Sequence, residues 1–96
     1  MNRTKLLEIL KRYKSLHAKR YGIVSLGLFG SYARGEATSV SDVDIILQTL
    51  TPDPYNIVHI KEDLEQQLNL PVDVVRMRAR MNPFLKERIE KEAVYV

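Results

Sequence analysis

"GLFGSYARGEATSVSDVDIIL" runs from Gly27 to Leu47 and holds two short apolar runs around a polar turn. Extended toward the N-terminus, the first run reads "IVSLGLF", Ile23 to Phe29, a β-branched and apolar pattern that predicts a buried strand. The second, "DVDIIL", Asp42 to Leu47, predicts another. Strand side chains alternate between faces, so Asp42 and Asp44 point one way and Val43 and Ile45 the other. Between the runs, Gly30 to Ser41 reads as a loop with a turn of helix near Tyr32 to Arg34.

Outward from this stretch, the pattern changes period. Leu6, Ile9, Leu10, Tyr13 and Leu16 recur at helical spacing, and Gly22 is a natural stop, so about Arg3 to Arg20 should be an amphipathic helix. Pro52 and Pro54 interrupt the chain after the second strand. Ile57, Ile60, Leu64 and Leu68 then mark a second long helix that ends near Asn69, before Pro71. "VDVVRM", Val72 to Met77, predicts a third strand. Asn82 followed by Pro83 is an N-cap with proline at the first helical position, opening a helix to about Glu92. The closing "AVYV" is either a short strand or a docking tail. The order helix, strand, strand, helix, strand, helix predicts an α/β fold, with the segment from Asp42 to Met77 forming a parallel crossover.

Composition narrows the function classes. Ninety-six residues predict a single domain, residues 1–96. There is no cysteine, which removes disulfides and thiolate metal sites. No run is long enough for a membrane span, and no signal-peptide hydrophobic region opens the chain, so a cytoplasmic protein is expected. The net charge of +3 is unevenly spread: up to Arg20 there are seven basic residues against one acid, Glu8. A second basic cluster is Arg76, Arg78 and Arg80. Without interleaved aromatics or an RNA-binding motif, the first cluster reads as a solvated helix face rather than a nucleic-acid surface. The second shares one parity in its strand, opposite to Asp73, and reads as a solvent- or partner-facing stripe. His17 and His59 have no paired ligands nearby. The five tyrosines, Tyr13, Tyr21, Tyr32, Tyr55 and Tyr95, read as packing residues, with Tyr32 close enough to the turn to meet a ligand.

The acidic residues carry the chemistry. Asp73 sits near the start of its strand, as Asp42 and Asp44 do near the start of theirs. Parallel neighbours would bring three carboxylates to one end of the sheet. The first strand ends at Gly30-Ser31, which can lie beside Asp42 only if those two strands run antiparallel. Cooperation of these polar groups therefore predicts a small mixed sheet flanked by helices. Clustered carboxylates raise each other's pKa unless a cation compensates them. An all-oxygen donor set selects Mg²⁺ or Mn²⁺ over zinc, with phosphate completing the coordination. The Gly-Ser turn supplies the other half, since glycine lets backbone N–H groups approach a phosphate. Gly30 and Gly35 have P-loop spacing, but Glu36-Ala37 follows where Lys-Ser/Thr is required, and the dinucleotide fingerprint also fails.

"GSYARG", then Ser41-Asp42-Val43-Asp44, then a later Asp in an apolar strand resembles the DNA polymerase β-like nucleotidyltransferases. It is most similar to their minimal nucleotidyltransferase (MNT) group, which includes antitoxins paired with HEPN-domain toxins. The resemblance runs from about Ile23 to the C-terminus, where "LKERIEKEAVYV" looks like the end of such a domain. It implies a polymerase β-like fold in which Gly30 and Ser31 hold a nucleotide triphosphate and Arg34 touches phosphate. Asp42, Asp44 and Asp73 would ligate the metal, two Mg²⁺ ions in all. Asp73 would also help deprotonate the attacking hydroxyl. The implied reaction moves AMP from ATP onto a tyrosine hydroxyl of a HEPN-type RNase toxin, which this chain would silence as antitoxin. Larger relatives carry a helical domain for their small-molecule acceptor, and this chain has no room for one.

Two other classes share these residues. A binding module would neutralise the toxin by occupying its surface, with an idle nucleotide site. A nucleotidyltransferase for RNA 3′ ends would use the basic helix as a tether and bind RNA with steep salt dependence.

Overall fold

A computed structural model describes residues Met1–Val96. Its first helix, α1, spans Arg3–Tyr21. Asn2 caps it by accepting the Lys5 N–H at 2.9 Å. Gly22 ends it in the left-handed region at φ 65°, with Lys19 and Arg20 in the last turn where the helix dipole favours positive charge. The buried stripe on α1 is Leu6, Leu10, Tyr13 and Tyr21. His17 continues it, its ring 4.5 Å from that of Tyr13 and 5.9 Å from that of Tyr21. Leu16, expected on this stripe, is 67% exposed. The i, i+4 step from Tyr13 falls on His17, which turns Leu16 outward.

The strands β1 (Ile23–Phe29), β2 (Val43–Thr49), β3 (Val72–Arg76) and β4 (Val94–Tyr95) form one sheet in the order β3-β2-β1-β4. β1 pairs antiparallel with both β2 and β4, and β2 pairs parallel with β3. The mixed sheet expected from the polar residues is present. "AVYV" resolves as a strand, with the Val96 N–H also donating to the Leu26 carbonyl. Between β1 and β2 lies a single helical turn, α2 (Ser31–Arg34).

Helix α3 (Pro54–Leu68) crosses from β2 to β3. Asp53 caps it with Pro54 inside the first turn, and Asn69 ends it at φ 53°. Helix α4 (Pro83–Glu92) begins at Asn82, whose side chain accepts from Phe84 and Leu85. No helix is long and apolar enough to cross a membrane.

The two faces of the sheet bury different amounts. One face contributes Leu26, Leu28, Val43, Ile45 and Leu47 to the larger core, packed with Leu6, Leu10 and Tyr13 of α1 and Ile60 and Leu64 of α3. The other contributes Phe29 and Ile46, covered by Ile89 of α4 with Leu85 and Ala93 around it. Period-two alternation puts Asp44 on this second, thinly covered face, one step from Ile46.

The arginine stripe is not a strand. β3 stops at Arg76, and Arg78 and Arg80 lie in the irregular segment beyond it. Arg76 donates to the Thr49 hydroxyl at 3.3 Å, and the salt bridges of the protein include none to Asp73. Of the tyrosines, Tyr13, Tyr21 and Tyr32 are buried, whereas Tyr55 and Tyr95 are exposed. Two cations of the N-terminal cluster have work within the fold: Arg3 donates to the Ala33 carbonyl and Lys14 to that of Val96.

One carboxylate ties α1 to α3. The hydroxyls of Tyr13 and Tyr21 both donate to Asp63 Oδ2, at 2.8 and 3.3 Å. Burial, then the hydrogen bond to Asp63, then its charge push the Tyr13 hydroxyl above the ordinary tyrosine range. A raised pKa stabilises the fold below the unfolded tyrosine value and loses that contribution as the pH climbs beyond it. Tyr13→Phe is expected to cost about 1–2 kcal/mol near neutrality. That cost should shrink above pH ~10, where only the wild-type chain loses stability through this group. Urea denaturation of both proteins on either side of that pH checks it; a constant gap would rule out the linkage.

Candidate active site

The site forms where β1 ends. Phe29 pairs across to Asp44, and Asp44 pairs on its other side with Asp73. The central strand β2 thus carries a carboxylate flanked by the turn after β1 on one side and the start of β3 on the other. The Val43 N–H donates to the Pro71 carbonyl at 2.9 Å, which fixes this end of the β2–β3 pair.

Gly30 leaves β1 at φ 76°, ψ −155°, a conformation essentially restricted to glycine. Its Cα faces Asp44: a Cβ there would overlap Oδ2 and sit 3.0 Å from Cγ. The chain then coils through Ser31–Arg34, with the Arg34 N–H bonded to the Gly30 carbonyl and the Glu36 N–H to that of Ser31. Tyr32 and Ala33 anchor the turn in the larger core, leaving Ser31 and Arg34 partly or fully accessible. Tyr32 is buried there rather than turned toward a ligand.

Asp42 is exposed and lies just before β2; Asp73 is exposed on β3; Asp44 is half-buried between them. The Asp44 carboxyl is pushed above the usual carboxylate range, first by burial and then by the charge of Asp73. Arg88 opposes this, Asp42 adds to it, and Arg34 opposes it more weakly. Both neighbouring aspartates therefore act on Asp44, whose charge is under-neutralised. Hard oxygen donors with excess negative charge suit a divalent cation such as Mg²⁺. As the side chains stand, no three acidic or histidine groups converge on one point as a finished ion cage. The largest cleft, about 460 Å³, lies elsewhere, between α1 and β4, and is lined by Leu7, Lys11 and Tyr95 among others.

Two residues reach the site from α4, which the sequence pattern did not connect with it. Glu92 accepts from the Gly30 N–H at 3.2 Å and from Arg34 at 3.0 Å. Arg88, one helical turn earlier, is close enough to act on Asp44. Both flank Ile89, which anchors α4 to the sheet. Their i, i+4 spacing on a helix with a buried Ile was the available signal. Arg34 also pairs with Glu36, at 3.0 Å, so two carboxylates bracket its guanidinium.

Residues 4–96 match the family described as the nucleotidyltransferase domain. The protein adenylyltransferase MntA of Thermococcus cleftensis is 37% identical over 89 residues, covering 92% of this chain and 89% of its own. A solved structure of a candidate minimal nucleotidyltransferase superimposes with a TM-score of 0.81 at 33% identity, over 98% of this chain and 95% of that one. A Shewanella oneidensis complex of a tri-AMPylated HEPN toxin with an MNT antitoxin shares the fold, at a TM-score of 0.65 and 18% identity, over 93% of this chain and 70% of that one. A turn and two aspartates gathered by strand pairing, with Asp42 just ahead of β2, within a sequence match that spans almost the whole length, give one conclusion: this chain belongs to the nucleotidyltransferase domain family of enzymes.

Proposed function

We propose that this protein, acting as one domain over residues 1–96, transfers AMP from ATP to a tyrosine hydroxyl of a HEPN-type RNase and silences it as an antitoxin in the cytoplasm. The observation that carries the reading is the strand register: Phe29 opposite Asp44 and Asp44 opposite Asp73 bring the Gly-Ser turn and the carboxylates to one end of the sheet. The name of the Thermococcus relative and the composition of the Shewanella complex support the acceptor class.

In this reading Asp42, Asp44 and Asp73 hold two Mg²⁺ ions, while Gly30, Ser31 and Arg34 hold the triphosphate. When bound, the metal neutralises phosphate charge and stabilises the attacking and leaving oxygens. Asp73 takes the proton of the acceptor hydroxyl as its oxygen forms a bond to the α-phosphorus. The bond from that phosphorus to the bridging oxygen breaks, and pyrophosphate leaves with the electron pair. The Gly30 turn orients the phosphates, and positioning supplies most of the catalysis in phosphoryl transfer.

The test is to mix the purified protein with ATP, Mg²⁺ and a HEPN-domain RNase from the same source, then weigh both chains by intact mass spectrometry. The RNase should gain one or more AMP units, and the gain should disappear with Asp42→Asn. A silenced RNase of unchanged mass would replace this reading with the binding module. AMP added to RNA ends instead would move it to the RNA class.

A further inference from the structure

Glu92 is the acid that accepts the main-chain N–H of Gly30 in the turn proposed to hold phosphate. Its Oε2 accepts from the Gly30 main-chain N–H at 3.2 Å and from the Arg34 guanidinium at 3.0 Å, and its side chain is 20% exposed. A backbone N–H and an arginine converging on one anionic oxygen form the donor set that a phosphate oxygen takes. Glu36 offers a contrast: it pairs with the same Arg34, is 66% exposed, and makes no bond to Gly30.

We propose that Glu92 is a resident stand-in for phosphate, whose carboxylate fills the Gly30 and Arg34 donor set until the triphosphate of a nucleotide displaces it. This rests on the nucleotidyltransferase reading of the Gly30–Arg34 turn given above. The carboxylate neutralises Arg34 and satisfies the Gly30 N–H in the nucleotide-free protein. A triphosphate carries several times its charge and wins the seat, but binds against a competitor. Glu92 is the last residue of α4, and β4 follows after Ala93 alone, so the stand-in is held by the pairing of Tyr95 and Val94 with Gly27 and Leu28. The C-terminal segment thereby sets the threshold at which nucleotide occupies the site.

Isothermal titration with a non-hydrolysable ATP analogue and Mg²⁺ tests this on three proteins: wild type, Glu92→Gln and Glu36→Gln. Glutamine keeps an acceptor for Gly30 and Arg34 while removing the charge, so the turn stays supported. Glu92→Gln is expected to bind the analogue about tenfold more tightly, the scale of losing one competing charge-assisted contact. Glu36→Gln should change affinity by much less, because it leaves the Gly30 N–H occupied. Equal tightening in both variants would reduce the effect to general charge and overturn the stand-in. Unchanged or weaker binding in Glu92→Gln would overturn it too, and make Glu92 a positioning residue for Arg34. If neither the wild type nor Glu92→Gln binds the analogue, the nucleotide-site reading itself fails.

Discussion

Asp44→Asn should stop AMP transfer, by about 10³-fold or more, and yet leave a more stable protein. The first half follows from the position of Asp44, the only one of the three aspartates that is paired with both β1 and β3. In the proposed reading its charge is a ligand at the centre of the metal site, and metal stabilisation of a phosphoryl transition state is worth several kcal/mol, which is about 10³-fold in rate. The second half follows from its raised pKa, caused first by burial and then by Asp73. A carboxyl with a raised folded pKa favours the fold only while protonated, below the unfolded value, and works against it once ionised. The metal-free variant should therefore gain up to about 1 kcal/mol at pH ~7, a ceiling set by solvent screening of a half-buried group. The gain should fade as the pH drops through about 4 and vanish below it, where the wild-type carboxyl is protonated in both states. Thermal melts in chelator at both pH values, beside a transfer assay, read the two halves separately. Retained transfer would remove Asp44 from the reaction; a melt that falls at neutral pH would deny the strain.

Gly30→Ala should be the most damaging single change in the turn. Two costs add. The backbone stands at φ 76°, ψ −155°, where a Cβ is strained, and that Cβ would overlap Asp44 Oδ2. Together these are expected to cost about 2–4 kcal/mol, with the Asp44 carboxylate pushed out of place. Gly35 separates the two causes. It also has positive φ, 73°, but a Cβ there would meet nothing within 4 Å. Gly35→Ala should cost about 1 kcal/mol from backbone alone and leave nucleotide binding intact. Denaturant midpoints of the two variants give the comparison, and equal losses would mean that the Asp44 contact carries no weight.

Much of this architecture was readable from local pattern. The caps at Gly22, Asn69 and Asn82 fixed three helix ends through side-chain and backbone chemistry that acts within a turn. Alternation placed Asp44 opposite Ile45, and the demand that Gly30 and the aspartates cooperate led to the antiparallel pairing of β1 with β2. The misses came from longer range. Leu16 and His17 are equally plausible on a helical stripe, and only the docked Tyr13 and Tyr21 rings select the histidine. Arg76, Arg78 and Arg80 keep a strand's parity in the sequence, but hydrogen bonding to β2 runs out after Met77. Glu92 stands among several exposed charges of α4, and nothing in their spacing says that one of them returns to a glycine at the far end of the sheet.

The brevity of β4 has a consequence for the molecule among its own copies. An exposed sheet edge is a template on which a neighbouring chain can add a strand and start an aggregate. Here the outer strand beyond β1 is only Val94–Tyr95, too short a ladder for such copying. On the inner side, the Tyr95 ring lies so close over Gly27 that a Cβ there would come within 2.9 Å of it. At the opposite edge, β3 carries the exposed charge of Asp73 along its short length. Colloidal stability is thus built into the two ends of the sheet, at no expense to the open face that carries the aspartates.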